Sequence, residues 1–125
     1  TLADFQSTGI AEKGMRAISS MKKLTTLRVN GATLSDKAMS ALAGHKSLLN
    51  FDASFATLGD ETAAILASMP QLVSINLSRT KLTDKGLAKL SVLKNLTSLM
   101  VTDSAVTAKA AQAFEKDMPT CRVTR

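Results

Sequence analysis

The sequence predicts an α/β solenoid in which a short strand and a helix repeat every 24 residues. Three observations support this: a column of four leucines spaced 24 residues apart, further apolar columns with the same period, and a partial copy ahead of them. The columns are Leu24, Leu48, Leu72 and Leu96; Leu27, Phe51, Ile75 and Leu99; Val29, Ala53, Leu77 and Val101; and Leu34, Leu58, Leu82 and Val106. The partial copy consists of Ala3, Phe5 and Ile10. A fixed period of about 20–29 residues that begins with L-x-x-L-x-L is typical of a strand-plus-helix solenoid.

The strands follow from the spacing of apolar residues at the start of each repeat. In the repeat 23–46, Leu27 and Val29 alternate with polar neighbours, as a strand with one buried face requires. Equivalent segments predict strands near residues 3–6, 26–29, 50–53, 74–77, 98–101 and 121–124. Because each strand reaches the next only through a helix, the sheet is predicted to be parallel.

The helices follow from a cap, a charge and an inward stripe. Ser35 occupies an N-cap position, Asp36 suits the positive end of the helix dipole, and Met39 and Leu42 share one face. Equivalent segments predict helices near 12–20, 36–44, 60–68, 84–92 and 108–116. Three lysines are predicted to close helices, where a cation is favourable: Lys22, Lys46 and Lys94.

One helical column is small in every copy: Gly14, Ala38, Thr62, Gly86 and Ala110. Glycine inside a helix costs about 1 kcal/mol relative to alanine. Its use at two of these positions predicts that helix backbone closely approaches a neighbouring element. The alternative is a surface column with no packing constraint.

Length and composition are consistent with one domain, residues 1–125, of about five repeats. The hydrophobic fraction of 45% is ordinary for a soluble protein, and no apolar run approaches the roughly 18 residues of a membrane span. The single cysteine, Cys121, excludes a disulfide framework within the chain. Because the chain begins at Thr1 without a secretion signal, we expect a processed chain or a piece of a longer protein.

The strand pattern, followed by L-T-D-K-G-L at residues 82–87, resembles bacterial leucine-rich repeat proteins of the short, ribonuclease-inhibitor-like kind. The resemblance covers essentially the whole chain. It implies a right-handed solenoid with the parallel sheet on the concave face and helices on the convex face. In such proteins a polar side chain often bonds stacked backbone groups after the strand. That column here is Thr8, Ala32, Ala56, Thr80 and Ser104, so we expect an interrupted ladder.

The candidate partner-binding residues lie on the concave face and at the strand ends. The concave column contains Asp4, Arg28, Asp52, Asn76 and Met100, flanked by columns of Ser, Thr and Asn; an Arg28–Asp52 ion pair is expected there. The strand-end column contains Ser7, Gly31, Phe55, Arg79 and Asp103. Aromatic and arginine side chains dominate interface energetics, which makes Phe55 the leading anchor. The sequence nevertheless favours a packing role, in which Phe55 folds back over Ala53 and Ala56. The bland alternative for the concave columns is a solvated face.

Other chemistry has little support in the sequence. A lysine column, Lys13, Lys37, Lys85 and Lys109, is broken by Glu61 and lacks the aromatic residues of single-strand nucleic-acid sites, so nucleic acid is an unlikely partner. His45 is the sole histidine and is expected to pack at a helix end, while Cys121 has no histidine partner in the pattern. We therefore predict no enzyme activity, no cofactor and no metal site.

Two functional hypotheses remain. The first is a non-enzymatic scaffold that binds a protein, or another part of its own parent chain, through Arg28, Asp52, Phe55, Asn76, Arg79, Met100 and Asp103. The second is a structural module that stacks on flanking repeats or associates with itself through the open edge of its first strand.

Overall fold

The computed structural model describes residues 1–6 and 12–125. Within them, six strands form one parallel sheet in chain order, and a helical segment connects each strand to the next. The strands are β1 Leu2–Asp4, β2 Thr26–Arg28, β3 Asn50–Asp52, β4 Ser74–Asn76, β5 Ser98–Met100 and β6 Arg122–Thr124. The helices are α1 Glu12–Ser19, α2 Asp36–Met39, α3 Asp60–Leu66, α4 Asp84–Lys89 and α5 Ala108–Asp117. Turns of 3₁₀ helix, Ser40–Leu42 and Leu90–Val92, extend α2 and α4.

The strand register confirms the repeat. Thr26 lies opposite Asn50, Asn50 opposite Ser74, and Ser74 opposite Ser98, so every step of the sheet is 24 residues. The last step, from Ser98 to Arg122, keeps this register even though the final repeat is irregular in sequence. The predicted α/β solenoid with a parallel sheet is therefore correct.

The core lies between the sheet and the helices as one continuous cluster. The four leucines of the first column are fully buried, as are Leu27, Ile75 and Leu99 on the strands. Met39, Leu42 and Leu87 cover them from the helices. No helix in the described ranges is long and apolar enough to cross a membrane.

The helices end earlier than predicted, and the lysines lie beyond them. A coil of 24 residues must return to the next strand, so α2 has only four helical residues before it tightens into 3₁₀ geometry. Lys22 and Lys46 lie in the loops that follow. Lys94 also lies outside its helical segment, but its Nζ donates to the Ser91 carbonyl 2.8 Å away.

The small helical column marks a close approach. A Cβ atom added to Gly86 would overlap Oδ1 of Asp60 and Cδ1 of Leu82. Thr62, at the equivalent position of the preceding repeat, is fully buried and bonded to Asp36. Helix backbone therefore approaches the preceding repeat closely at both positions, as the sequence predicted.

The first-turn aspartates join each repeat to the next, a role the sequence did not predict. Oδ1 of Asp60 accepts from the Thr83 backbone N–H at 2.8 Å, and its Oδ2 accepts from the Thr83 hydroxyl at 2.6 Å. Asp84 makes the same pair of bonds to Thr107. We call Asp36, Asp60 and Asp84 the carboxylate ladder.

Asp36 begins this ladder with different partners. Its Oδ1 accepts from the backbone N–H groups of Gly59 and Thr62 and from the Thr62 hydroxyl, at 3.3, 3.2 and 2.6 Å. The pattern shifts because the third repeat has glycine at the N-cap, which offers no hydroxyl. The same carboxylate therefore serves both its own helix dipole and the start of the following helix.

The turn column after the strands behaves differently from the expectation. The Thr80 hydroxyl donates to the Leu77 carbonyl at 2.7 Å, and Ser104 donates to Val101 at 2.6 Å. Both bonds stay within one repeat, so these side chains close their own turns and do not bond stacked neighbours. Ala32 and Ala56 close the same turns with backbone bonds alone. Thr8 and Ile10 lie outside the described residues.

Candidate partner-binding surface

Four of the predicted residues meet in one shallow cleft on the exposed face of the sheet. This concave cleft, of about 300 Å³, lies across β2 to β5. Its lining includes Arg28, Asp52, Asn76 and Met100, together with Thr26, Asn50 and Ser74. Arg28 and Met100 are exposed, whereas Asp52 and Asn76 are half-buried. The floor is therefore polar, with a cation near one end and a thioether at the other.

Two side chains of the cleft are held in place by the turns that follow their strands. Oδ1 of Asp52 accepts from the backbone N–H of Ser54 at 3.0 Å and from its hydroxyl at 2.9 Å. Oδ1 of Asn76 accepts from the backbone N–H of Ser78 at 3.0 Å. These bonds fix one oxygen of each group, so the cleft presents pre-oriented polar side chains before any partner arrives.

The expected Arg28–Asp52 ion pair does not form. Arg28 lies opposite both Asp4 and Asp52 in the sheet, but its Nη1 pairs with Asp4 Oδ2 at 3.9 Å. Asp52 is engaged by its own turn instead. An exposed pair at this distance contributes roughly 0–1 kcal/mol, so Arg28 stays available to a partner.

Two buried polar atoms next to the cleft have no hydrogen-bond partner. They are Oδ1 of Asn30 and Oγ of Ser78, in the residue column that follows the concave cleft along the strands. Buried polar atoms are nearly always bonded to protein or water. Unsatisfied groups on both sides of Ser54 indicate that this part of the surface is incomplete without further polar contacts.

The strand-end rim, defined as Gly31, Phe55, Arg79 and Asp103, contains the other predicted residues. Phe55 is 59% exposed, so the expected packing over Ala53 and Ala56 is wrong; both alanines are buried without it. The Arg79 guanidinium lies 5.0 Å from the Phe55 ring centre. Arg79 Nε donates in turn to Asp103 Oδ2 at 3.0 Å. The rim is thus a stack of an aromatic ring, a cation and an anion.

The backbone explains why Phe55 points outward. All four rim residues have left-handed conformations, with φ values of 67° for Gly31, 62° for Phe55, and 54° for both Arg79 and Asp103. Glycine adopts this conformation freely, but for a bulky side chain it is unusual. Gly31 in this column was the sequence signal for the conformation, and sequence reasoning missed it. Ser7, the predicted fifth member, lies outside the described residues.

Groups that could suggest catalysis are dispersed. Burial, with a contribution from the nearby Glu115 carboxylate, raises the pKa of Cys121 to about 11, which leaves the thiol protonated and a poor nucleophile at neutral pH. His45 is buried, and its Nδ1 accepts from the Ser47 backbone N–H at 3.3 Å. Within residues 1–6 and 12–125, no three His, Cys, Asp or Glu side chains are grouped as metal ligands would be.

The predicted lysine column lies on the helices. Its members are all exposed: Lys13, Lys37, Lys85 and Lys109. Lys37 Nζ approaches Glu12 Oε2 at 3.8 Å, a weak surface pair. Nothing on this face resembles the pre-oriented groups of the concave cleft.

Comparisons with known proteins agree with this architecture. A family model described as "Leucine Rich repeat" matches residues 20–43 and 69–91. An internalin from Listeria monocytogenes str. 4b F2365 superposes with a TM-score of 0.69 and 17% identity over 87% of this chain, which spans only 30% of that chain. Leiomodin-1 Actin-Binding Site 2 superposes with a TM-score of 0.67 and 15% identity, covering 90% of this chain and 75% of that one. Comparison with curated protein sequences found no match. The period, the stacked register and the matched repeats identify the chain as a leucine-rich repeat protein.

Proposed function

We propose that this protein is a non-enzymatic scaffold that binds a partner protein across the concave cleft and the strand-end rim. The leucine-rich repeat fold commonly mediates protein–protein interaction, through the extended concave surface that stacked repeats create. One of the superposed structures is an actin-binding site by name, which supports a protein as the class of partner. Bacterial origin and the remaining parent chain stay predictions.

The observation that carries the proposal is the exposed, strained Phe55. A left-handed conformation costs a non-glycine residue about 1–3 kcal/mol, and burial does not offset that cost here, because most of the ring faces solvent. The contact with Arg79 returns only about 0.5–1 kcal/mol at an exposed site. A bulky residue placed at a cost with its ring open to solvent is best explained by contact with a partner.

The rim and the cleft have complementary roles in this proposal. The rim offers the residue types that dominate interface energetics, an aromatic ring and an arginine. The cleft offers fixed polar groups, namely the free oxygen of Asp52 and the amide of Asn76, whose geometry selects among partners. Met100 adds an adaptable apolar contact at its edge.

Paired variants test the surface directly. Phe55→Ala with Arg79→Ala should reduce capture of the partner about tenfold or more, since hot-spot residues cost about 2 kcal/mol each when truncated. Lys85→Ala with Lys109→Ala removes two exposed lysines from the helical face and serves as the matched control. Photo-crosslinkers placed at Asn76 and at Lys85 would report which face touches the partner. Unchanged capture by the rim pair, with crosslinks from Lys85 instead, would contradict the proposal.

Self-association through the first strand is the second candidate, and the two sheet edges support it unequally. At β6, the Val123 N–H that faces away from β5 is bonded to Glu115 Oε1 at 3.1 Å, which blocks strand addition. At β1, Leu2 is 54% exposed in a column that is otherwise polar, and no described strand covers the outer edge. Sedimentation of the protein and of Leu2→Lys would distinguish the cases. A dimer that Leu2→Lys dissociates supports edge pairing, and a monomer at all concentrations excludes it.

A further inference from the structure

We propose that a cleft between the first two repeats binds a small oxyanion of phosphate size. The cleft, of about 390 Å³, lies where the helices end, at the opposite end of the coil from the carboxylate ladder. Its lining residues are Ser19, Lys22 and the segment 41–46, which includes His45 and Lys46. We call it the lysine cleft. It shares no residue with the concave cleft or the rim, so the inference does not depend on the proposed function.

The first support is the charge of the lining. Lys22 and Lys46 contribute two ammonium groups, and the lining contains no carboxylate. Neither lysine forms a hydrogen bond or ion pair in the described structure. The equivalent Lys94 differs, because its Nζ is bonded to the Ser91 carbonyl and contacts Met118 Sδ. Two free cations at one opening are therefore a particular feature of these two repeats.

The second support is an orphan donor at His45. This residue is 8% exposed and occupies a column that elsewhere contains Met21, Met69 and Leu93. Its Nδ1 accepts from the Ser47 N–H, so the ring proton must lie on Nε2. Nε2 is buried and has no acceptor in the structure. A buried N–H is nearly always bonded, and an anion oxygen in the adjoining cleft would supply the missing acceptor.

The wall that contains His45 is held firmly. The Gly44 N–H donates to Ser68 Oγ at 2.9 Å, and Gln71 Nε2 donates to the His45 carbonyl at 2.6 Å. Both bonds come from the third repeat, on the side away from the cleft. They fix the loop while leaving its other side open, as a binding wall requires.

Helix carbonyls, which would repel an anion, are already engaged. The Leu42 carbonyl accepts from the His45 N–H at 3.0 Å, and the Ile18 carbonyl accepts from Met21 at 3.0 Å. The Arg16 carbonyl accepts from the Ser19 hydroxyl and from the Ser20 N–H. Because these oxygens are bonded, the ammonium groups dominate the potential at the opening.

The test is an NMR titration of the whole protein with inorganic phosphate at pH 7, against chloride at equal ionic strength. Saturable shifts of the Gly44–Lys46 amides and of the His45 ring, absent with chloride, are expected. A parallel titration with phenyl phosphate distinguishes a free ion from a phosphate carried by a larger molecule: binding of both indicates a carried phosphate group, and binding of inorganic phosphate alone indicates the free ion.

Variants make the result decisive. Lys22→Gln with Lys46→Gln should weaken phosphate binding at least about tenfold, because charge-assisted bonds are the strong ones. His45→Met, which imitates Met69 in the same column, should also weaken binding while keeping the fold. Lys94→Gln is the matched control and should bind as the unmodified protein does. Absence of saturable shifts, or equal binding by the double variant and the unmodified protein, would overturn the proposal.

Discussion

The carboxylate ladder and the strand-end rim are both built on positions 24 residues apart, but they are filled in opposite ways. The ladder repeats one residue type, and each carboxylate in it is fully engaged by the next repeat. The rim changes residue type at every step, from glycine to phenylalanine to arginine to aspartate, and remains exposed. In a solenoid, a uniform column indicates a structural joint, and a varied column indicates a surface available for selection by a partner.

The energetics of the two regions differ in the same sense. Ladder bonds are partly buried, charge-assisted and contribute to stability. Rim contacts are exposed and weak, and the left-handed backbone opposes them. The comparison therefore predicts large losses of stability in the core and ladder, and little or no loss at the rim.

The largest effect is expected in the core shared by both regions. Ile75 is fully buried on β4, with Phe51 and Leu99 opposite it on the neighbouring strands. Ile75→Ala should lower the free energy of unfolding by about 2–5 kcal/mol, because it leaves a cavity between two repeats. Urea denaturation measures this, with Ser74→Ala on the exposed face as control. A loss below about 1 kcal/mol would show that the column is not packed as described.

Much of the fold could be predicted from sequence, because period and burial determine it. The leucine columns fixed the register of all six strands, and the small column indicated the close approach at Gly86. Helix ends were less predictable, since the shift to 3₁₀ geometry in two of the repeats is set by the need to return to the sheet.

The candidate surface was predictable in position but not in conformation. Strand alternation placed Arg28, Asp52, Asn76 and Met100 on one face, and the structure shows them in one cleft. The orientation of Phe55 was wrong because it depends on a backbone angle that apolar spacing does not encode. Bonds between repeats were also missed, because pattern analysis within one repeat assigned each aspartate to its own helix alone.

The next largest effect is expected in the ladder. Asp60→Ala removes both bonds to Thr83 and should cost about 1–2 kcal/mol in the free energy of unfolding, a value reduced for partial solvent exposure. Thermal unfolding measures it. Glu61→Ala, next to it on the same helix and exposed, is the control. Equal stability of the two variants would mean that the ladder contributes nothing beyond the helix dipole.

The ladder should also make stability depend on pH. Burial alone would raise the pKa of Asp60, but the hydroxyl and backbone bonds from Thr83, the Lys89 charge and the Gly86 N–H lower it below its ordinary value of 3.8. A lowered pKa means that the unfolded chain binds the proton more readily. The contribution is therefore present above pH 3.8 and is lost as pH falls through the folded-state pKa.

This dependence can be isolated by a variant. Unfolding free energies of the unmodified protein and Asp60→Asn, measured between about pH 2 and pH 7, should converge as the pH falls. Asp103→Asn, at the exposed rim, is the comparison and should leave the pH profile nearly parallel to that of the unmodified protein. A constant difference between Asp60→Asn and the unmodified protein across this range would contradict the assignment.

The smallest effect separates stability from binding at the rim. Phe55→Gly replaces a strained residue by the one that Gly31 shows is suited to the same turn. The free energy of unfolding should stay equal or rise by about 0.5–1 kcal/mol, because relief of the left-handed strain outweighs the weak contact with Arg79. Partner capture should fall as it does for Phe55→Ala. A protein destabilised by this change would show that Phe55 serves the fold, since only a packing role makes its ring necessary without a partner.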